Sequence, residues 1–180
     1  IPLFSHPIDP RKSAWFVLVE KAYAKLNGSY TELAGGSFSQ AIYSLYGYFS
    51  SSKDISILKS PEKTSKMTPY MRIIKYQNQG GIIGAGIQKE KIQGITESEV
   101  ISKGLLLSHS YVIISTKQFE GKNFIRLRNP WGQHEWNGDW SDDSPLWTSD
   151  LMKRFGLKPA SDGTFWMIDR DFFKYFTEIT

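Results

Sequence analysis

The sequence predicts an α+β domain. Helical periodicity dominates the early part of the 180 residues, and alternating β-branched segments dominate the later part. Those later segments follow one another closely enough to pair antiparallel. Residues 13–26 place Trp15, Leu18, Val19, Ala22, Tyr23 and Leu26 at three- and four-residue spacing, one apolar stripe, with Ser13 as a cap and Gly28 as a stop. A Gly35-Gly36 turn precedes a second helix, which starts at Ser37 in capping-box spacing with Gln40 and stops at Gly47. Residues 50–68 are rich in Ser and Lys and read as an exposed connection. Thr68-Pro69 opens a third helix ending at Gln79 or Gly80, with Thr as cap and Pro in the first helical position.

Residues 82–88 read as a strand whose Gly84 and Gly86 mark a close backbone approach. Residues 105–116 form a long strand and residues 123–129 its hairpin partner, with Gly121 in the turn. Residues 150–155 read as a short helix and residues 164–168 as a strand. Asp169 caps a last helix carrying Phe172, Phe173 and Phe176. The whole, residues 1–180, is read as a single domain.

The composition narrows the function. Hydrophobic residues make up 40% and aromatic residues 14%, which excludes a disordered tail. No run approaches a membrane-spanning length. The net charge of +4 is scattered, so nucleic acid is not an expected partner. The absence of Cys excludes a thiol nucleophile and Cys-ligated zinc within this chain. It fits a reducing compartment, and a cytoplasmic location is expected. The first residue is Ile rather than Met, which reads as an internal piece of a longer polypeptide.

Of the three histidines, His6 sits in a Pro-containing leader and His134 in a loop, while His109 lies in an apolar strand on the face of Leu107 and Tyr111. A core histidine bonded to backbone is one reading of His109. Asn129 comes twenty residues later in Asn129-Pro130-Trp131-Gly132, where a hairpin brings the two positions side by side. An Asn carbonyl that accepts one ring N–H fixes the tautomer and frees the other nitrogen to exchange a proton with a nucleophile. Trp131 can then cover the pair and exclude water. Taken alone, Asn-Pro-Trp-Gly is equally a turn with a buried aromatic.

Residues 15–36 (WFVLVEKAYAKLNGSYTELAGG), 97–113 (ESEVISKGLLLSHSYVI), 125–147 (IRLRNPWGQHEWNGDWSDDSPLW) and 162–176 (DGTFWMIDRDFFKYF) together resemble the protease core of the calpain family, in calpain order. The His and Asn-x-Trp-Gly elements are shared more loosely with papain-like proteases. The resemblance implies an antiparallel, barrel-like sheet lobe with flanking helices: the second, His/Asn-bearing lobe of a papain-like cysteine protease. It implies that His109 is the catalytic imidazole, Asn129 its orienter, and Trp131 the shield of that pair and the wedge between lobes. The nucleophilic Cys and the oxyanion-hole Gln belong to a preceding lobe that this chain lacks. The implied partners are therefore that lobe and a protein or peptide substrate in the cleft between the two. This chain alone is expected to be inactive.

Ser108 departs from the Gly that calpains usually place before the catalytic His; its side chain is expected to narrow the cleft or to add a donor there, which bears on substrate preference and activity. Ser108 and Ser110 are expected to point away from His109 within the strand. Glu135, Asp139, Asp142 and Asp143 alone read as an acidic surface loop. The resemblance implies calcium ligation by Glu135, Asp142 and Asp162, with the carbonyl of Ala160. Thr164 stands where the family has a Glu ligand, so the expected site is weak or absent. Two other readings exist: a pseudoprotease scaffold without a working Cys, and a binding module using Lys53, Lys59, Lys63, Lys66, Arg72 and Lys75.

Overall fold

The computed structural model describes residues 15–59 and 67–180. His6, Ser13, Lys63 and Lys66 lie outside the described residues. Backbone contacts group the chain into two compact units, Ile1–Phe49 and Ser50–Thr180.

In the first unit, α1 (Trp15–Leu26) and α2 (Phe38–Tyr46) flank a single 3₁₀ turn at Thr31–Leu33. Gly47 ends α2 at φ 72°, a left-handed backbone that glycine adopts without strain. Ser37 occupies the cap position, but its side chain makes no capping bond. The predicted stripe of α1 is not buried: Glu20 and Ala24 are its buried residues, while Trp15, Leu18 and Leu26 are exposed.

The second unit holds β1 (Lys53–Asp54), α3 (Ile55–Lys59), α4 (Pro69–Asn78), β2 (Ile83–Ile87), α5 (Glu97–Ser102), β3 (His109–Phe119), β4 (Lys122–Arg128), α6 (Ser149–Phe155), β5 (Thr164–Ile168), α7 (Asp169–Tyr175) and β6 (Glu178–Ile179). The six strands form one antiparallel sheet in the order β1-β6-β2-β3-β4-β5. The α+β class with an antiparallel sheet and flanking helices is as the sequence predicts. No helix among the described residues is long and apolar enough to cross a membrane.

Threonine caps set the helix starts. Thr68, Thr96 and Thr148 accept hydrogen bonds from the N–H of Met71 (3.2 Å), Glu99 (3.1 Å) and Leu151 (3.3 Å). The connection predicted across residues 50–68 instead contains β1 and α3. Asp54 accepts the N–H and hydroxyl of Ser56 at 2.9 and 2.7 Å, bonds that hold its carboxyl below the usual range, and Ile55 is buried.

Alternation along the strands gives the sheet two apolar faces. Ile83, Ala85, Ile87, Tyr111, Ile113, Ile125, Leu127, Phe165 and Met167 form one core with Ile73 of α4, Val100 of α5 and Phe172 of α7. Phe124 and Trp166 face the other way and pack with Trp140, Trp147, Phe155 and Leu157. Each fully buried side chain of this size contributes about 1.5–3 kcal/mol relative to exposure. An irregularity between Ile113 and Ser115 breaks the β3–β4 register, so that Thr116 returns to the first face and bonds Gln77 of α4 at 2.8 Å. The strand predicted from residue 105 begins only at His109, because Gly104 (φ 77°) and Ser108 (φ 49°) turn the chain between them.

Candidate active site

The site is built where β3 begins and β4 ends. Ser108 donates its N–H to the carbonyl of Ile87 at 2.7 Å, and His109 then pairs with Ile87 in the ladder. The His109 ring lies on the core face, edge-on to Tyr111 with centroids 5.1 Å apart. Tyr111 is fully buried against Phe165 and Phe176, and its hydroxyl accepts the N–H of Leu106 at 2.9 Å. One buried ring thus supports the imidazole and also holds the turn leading into it.

Asn129 directly follows β4. Extending the Val112–Arg128 pairing by one step sets it opposite Tyr111, diagonal to His109 on the same face. Its side chain is fully buried and fully bonded. Nδ2 donates to the carbonyls of Gln133 (2.6 Å) and His134 (3.2 Å). Both partners are acceptors only, so the amide nitrogen must face them. Oδ1 then accepts from the N–H of Trp131 at 3.0 Å and from His109 Nε2 at 2.8 Å. Since Oδ1 cannot donate, Nε2 carries the proton of the neutral ring and Nδ1 is left with a free lone pair.

Trp131 lies over this pair, its ring centroid 4.5 Å from that of His109, and is itself 61% exposed. Burial holds the His109 imidazole below its ordinary pKa of 6.5; the Asn129 bond opposes this and the nearby His134 adds to it.

The carboxylates nearby are arranged differently. Glu135 Oε1 accepts the N–H of Gly163 at 2.6 Å, and Asp162 Oδ1 accepts that of Thr164 at 2.8 Å. Asp142 Oδ2 accepts from Ala160 N–H at 3.1 Å, while its Oδ1 is buried without a partner. Burial above all, then the charges of Glu135, Asp162 and Asp143, push the Asp142 carboxyl up to about 6. Thr164 is buried, and its hydroxyl accepts from the Arg128 guanidinium at 3.2 Å, so a cation stands beside the position where a Glu ligand was expected.

Residues 2–180 match the profile described as calpain family cysteine protease. The chain belongs to the calpain family. It is 39% identical to mouse (Mus musculus) calpain-9 over 98% of its own length and 25% of that protein's. It is 39% identical to the rat (Rattus norvegicus) calpain-1 catalytic subunit over 92% of this chain and 23% of the relative. It is 32% identical to the Arabidopsis thaliana calpain-type cysteine protease DEK1 over 92% of this chain and 8% of the relative. The calpain chain thus spans a quarter or less of the length of these curated relatives.

Of the predicted residues, His109, Asn129 and Trp131 come together as one cluster. Glu135, Asp142 and Asp162 do not converge: no three His, Asp or Glu side chains among the described residues come close enough together to hold a metal ion. Asp142 Oδ1 is unpartnered and suits a cation, whereas Glu135 Oε1 and Asp162 Oδ1 each already accept a backbone N–H, so a cation here would share these carboxylates with the backbone. The basic surface is not continuous either. Arg72 is buried, Lys59 donates to the carbonyl of Phe173 at 2.6 Å, and Lys53 lies over the Tyr76 ring.

Sequence reasoning missed the carbonyls of Gln133 and His134, which no side-chain pattern announces. It also explained the family's Gly before the His by substrate approach. The calpain structure adds a backbone reason: Ser108 lies outside the strand, at a left-handed φ of 49° that glycine adopts freely. Ser110, by contrast, does lie within β3.

Two outcomes follow. Ser108→Gly relieves about 1 kcal/mol of left-handed strain, partly offset by a more flexible unfolded chain, so the denaturation midpoint should rise by a few tenths to about 1 kcal/mol equivalent. His109 should titrate below 6.5 in this chain by NMR. Because the folded pKa is depressed, the unfolded chain takes up the proton first. The stability contribution of neutral His109 is fully present above pH 6.5 and is lost as pH falls through the folded value, which pH-dependent denaturation will show.

Proposed function

We propose that this calpain-family chain supplies the His/Asn half of a cysteine endopeptidase core, with the nucleophilic Cys on a separate lobe. One observation carries the reading. The Asn129 amide, oriented by two backbone carbonyls, holds His109 Nε2 at 2.8 Å and leaves Nδ1 free to face an incoming sulfur. A thiolate next to Nδ1 stabilises the imidazolium and raises the His109 pKa above that of the isolated chain. The thiolate attacks the peptide carbonyl, and Nδ1–H protonates the leaving amine. The neutral imidazole then takes a proton from water, which hydrolyses the thioester. Asn129 keeps the ring in one tautomer throughout, and Trp131 keeps water from their bond.

Exposed apolar side chains support a partner lobe. Trp131 is 61% exposed, and Trp15, Leu18 and Leu26 of the first unit are 65%, 65% and 73% exposed. Trp131 acts as the wedge against the partner. A cytoplasmic location belongs to the same proposal, since a thiol nucleophile stays reduced in that compartment. For calcium we propose weak affinity, in the millimolar range of loosely built sites. Glu135, Asp142 and Asp162 are the nearest carboxylates, and no step of the reaction passes through the ion.

The test joins this chain to its Cys-bearing lobe and follows peptide hydrolysis. His109→Ala should lower kcat by at least about 10²–10⁴-fold, and Asn129→Ala by about 10²-fold through misorientation of the ring. Hydrolysis that survives His109→Ala overturns the assignment. No hydrolysis with an intact Cys present marks the fold as a pseudoprotease scaffold instead. Isothermal titration of this chain with calcium should show heat only near millimolar concentrations, and silence there removes the site.

A further inference from the structure

Glu135 has a role that does not depend on a metal. Its Oε1 accepts the N–H of Gly163 at 2.6 Å, and the carbonyl of the same Gly163 accepts the N–H of Asn129 at 2.7 Å. The two residues immediately before Glu135, Gln133 and His134, provide the carbonyls that hold Asn129 Nδ2. Residues 129–135 are therefore closed into a ring by one glycine, bonded to Asn129 at one end and to the Glu135 carboxylate at the other.

The ring is tight. A Cβ on Gly163 would lie 2.6 Å from the Asn129 carbonyl oxygen and 2.8 Å from Gly132 Cα, and Gly163 has a left-handed φ of 86°. The Glu135 backbone is pressed against Gly104, and Asn137 N–H donates to the Lys103 carbonyl at 3.1 Å, so the far side of the loop is fixed on the end of α5. Gly163 is buried. Removing the carboxylate leaves its N–H without a partner, and the segment must shift to find one. That shift pulls at the Asn129 N–H bond on the same peptide segment.

We infer that Glu135 is a positioning residue for Asn129, acting through the backbone of Gly163. The strut sets the amide that sets the His109 tautomer. Its consequence for turnover rests on the protease reading above, whereas its consequence for the imidazole does not.

The test uses this 180-residue chain with calcium chelated and the histidines labelled with ¹⁵N. The wild-type His109 spectrum should show a protonated Nε2 and a bare Nδ1. Glu135→Ala should move both resonances toward the average of the two tautomers. Glu135→Gln keeps an acceptor oxygen on the same stem and should restore the wild-type pattern. If Glu135→Ala fails to fold, Glu135→Asp, one methylene shorter with its charge kept, carries the same expectation. In the assembled core, Glu135→Ala should cut kcat by about 10–100-fold with KM little changed, and Glu135→Gln should recover most of it. An unchanged tautomer in Glu135→Ala overturns the inference. So does equal loss in Ala and Gln variants, or a loss that appears only when calcium is added. Hydrolysis surviving His109→Ala refutes the protease reading and leaves the spectra to judge Glu135 alone.

Discussion

The constraint on which the site depends is the saturation of one buried amide. Asn129 has four bonds to its side chain and none of its partners is interchangeable. Two carbonyls cannot donate and one backbone N–H cannot accept, so the amide has a single orientation, and with it the neutral imidazole has a single tautomer. A reversed amide would place a donor against the Trp131 N–H and its oxygen against the carbonyls of Gln133 and His134, leaving the fully buried Asn129 amide unsatisfied. Leaving a buried polar group unpaired costs about 1–3 kcal/mol, enough to make the reversed state rare. The direction in which His109 offers its lone pair is therefore decided by the path of the backbone through residues 129–134.

This explains which parts of the protein were legible in its sequence. Helices announced by a local signal were readable: Thr68-Pro69 starts α4, and Gly47 stops α2. Thr96 and Glu99 carry the same kind of signal, but α5 is only six residues long and buries one of them, too short for periodicity to speak. β6 is two residues long and exists because β1 and β2 accept it as a partner, which is tertiary information. His109 and Asn129 were readable because a hairpin converts sequence spacing into proximity. The Ile113–Ser115 irregularity lies within that hairpin and was not, yet it falls beyond the His109–Ile113 segment and leaves the site unharmed.

The carboxylates show the opposite case. The charges of Glu135, Asp162 and Asp143 add to burial in raising the cost of ionising Asp142. Acidic composition alone cannot distinguish a metal cage from a set of backbone struts. The difference lies in what each oxygen already holds, and here the N–H groups of Gly163, Thr164 and Ala160 are held. In this structure all three carboxylates serve as acceptors for backbone N–H groups of the 160–164 segment, which would otherwise need partners.

Burial lowers the basicity of His109 in the isolated chain. On the proposed reading, an imidazole that is neutral in the isolated chain cannot form an ion pair until a thiol is brought beside it. The proton then moves from sulfur to Nδ1, and the mutual stabilisation of the two charges offsets the burial that kept the ring neutral. Ion-pair formation and lobe association are consequently linked: whatever draws the Cys toward Nδ1 also raises the proton affinity of the ring, and the reverse holds by reciprocity. Trp131 makes that linkage steeper. Its exposed indole loses water only when the partner covers it, and the local dielectric around the His–thiolate pair falls in the same step. On that proposal, a half-site built this way is chemically quiet by itself and acquires its reactive charge state through docking.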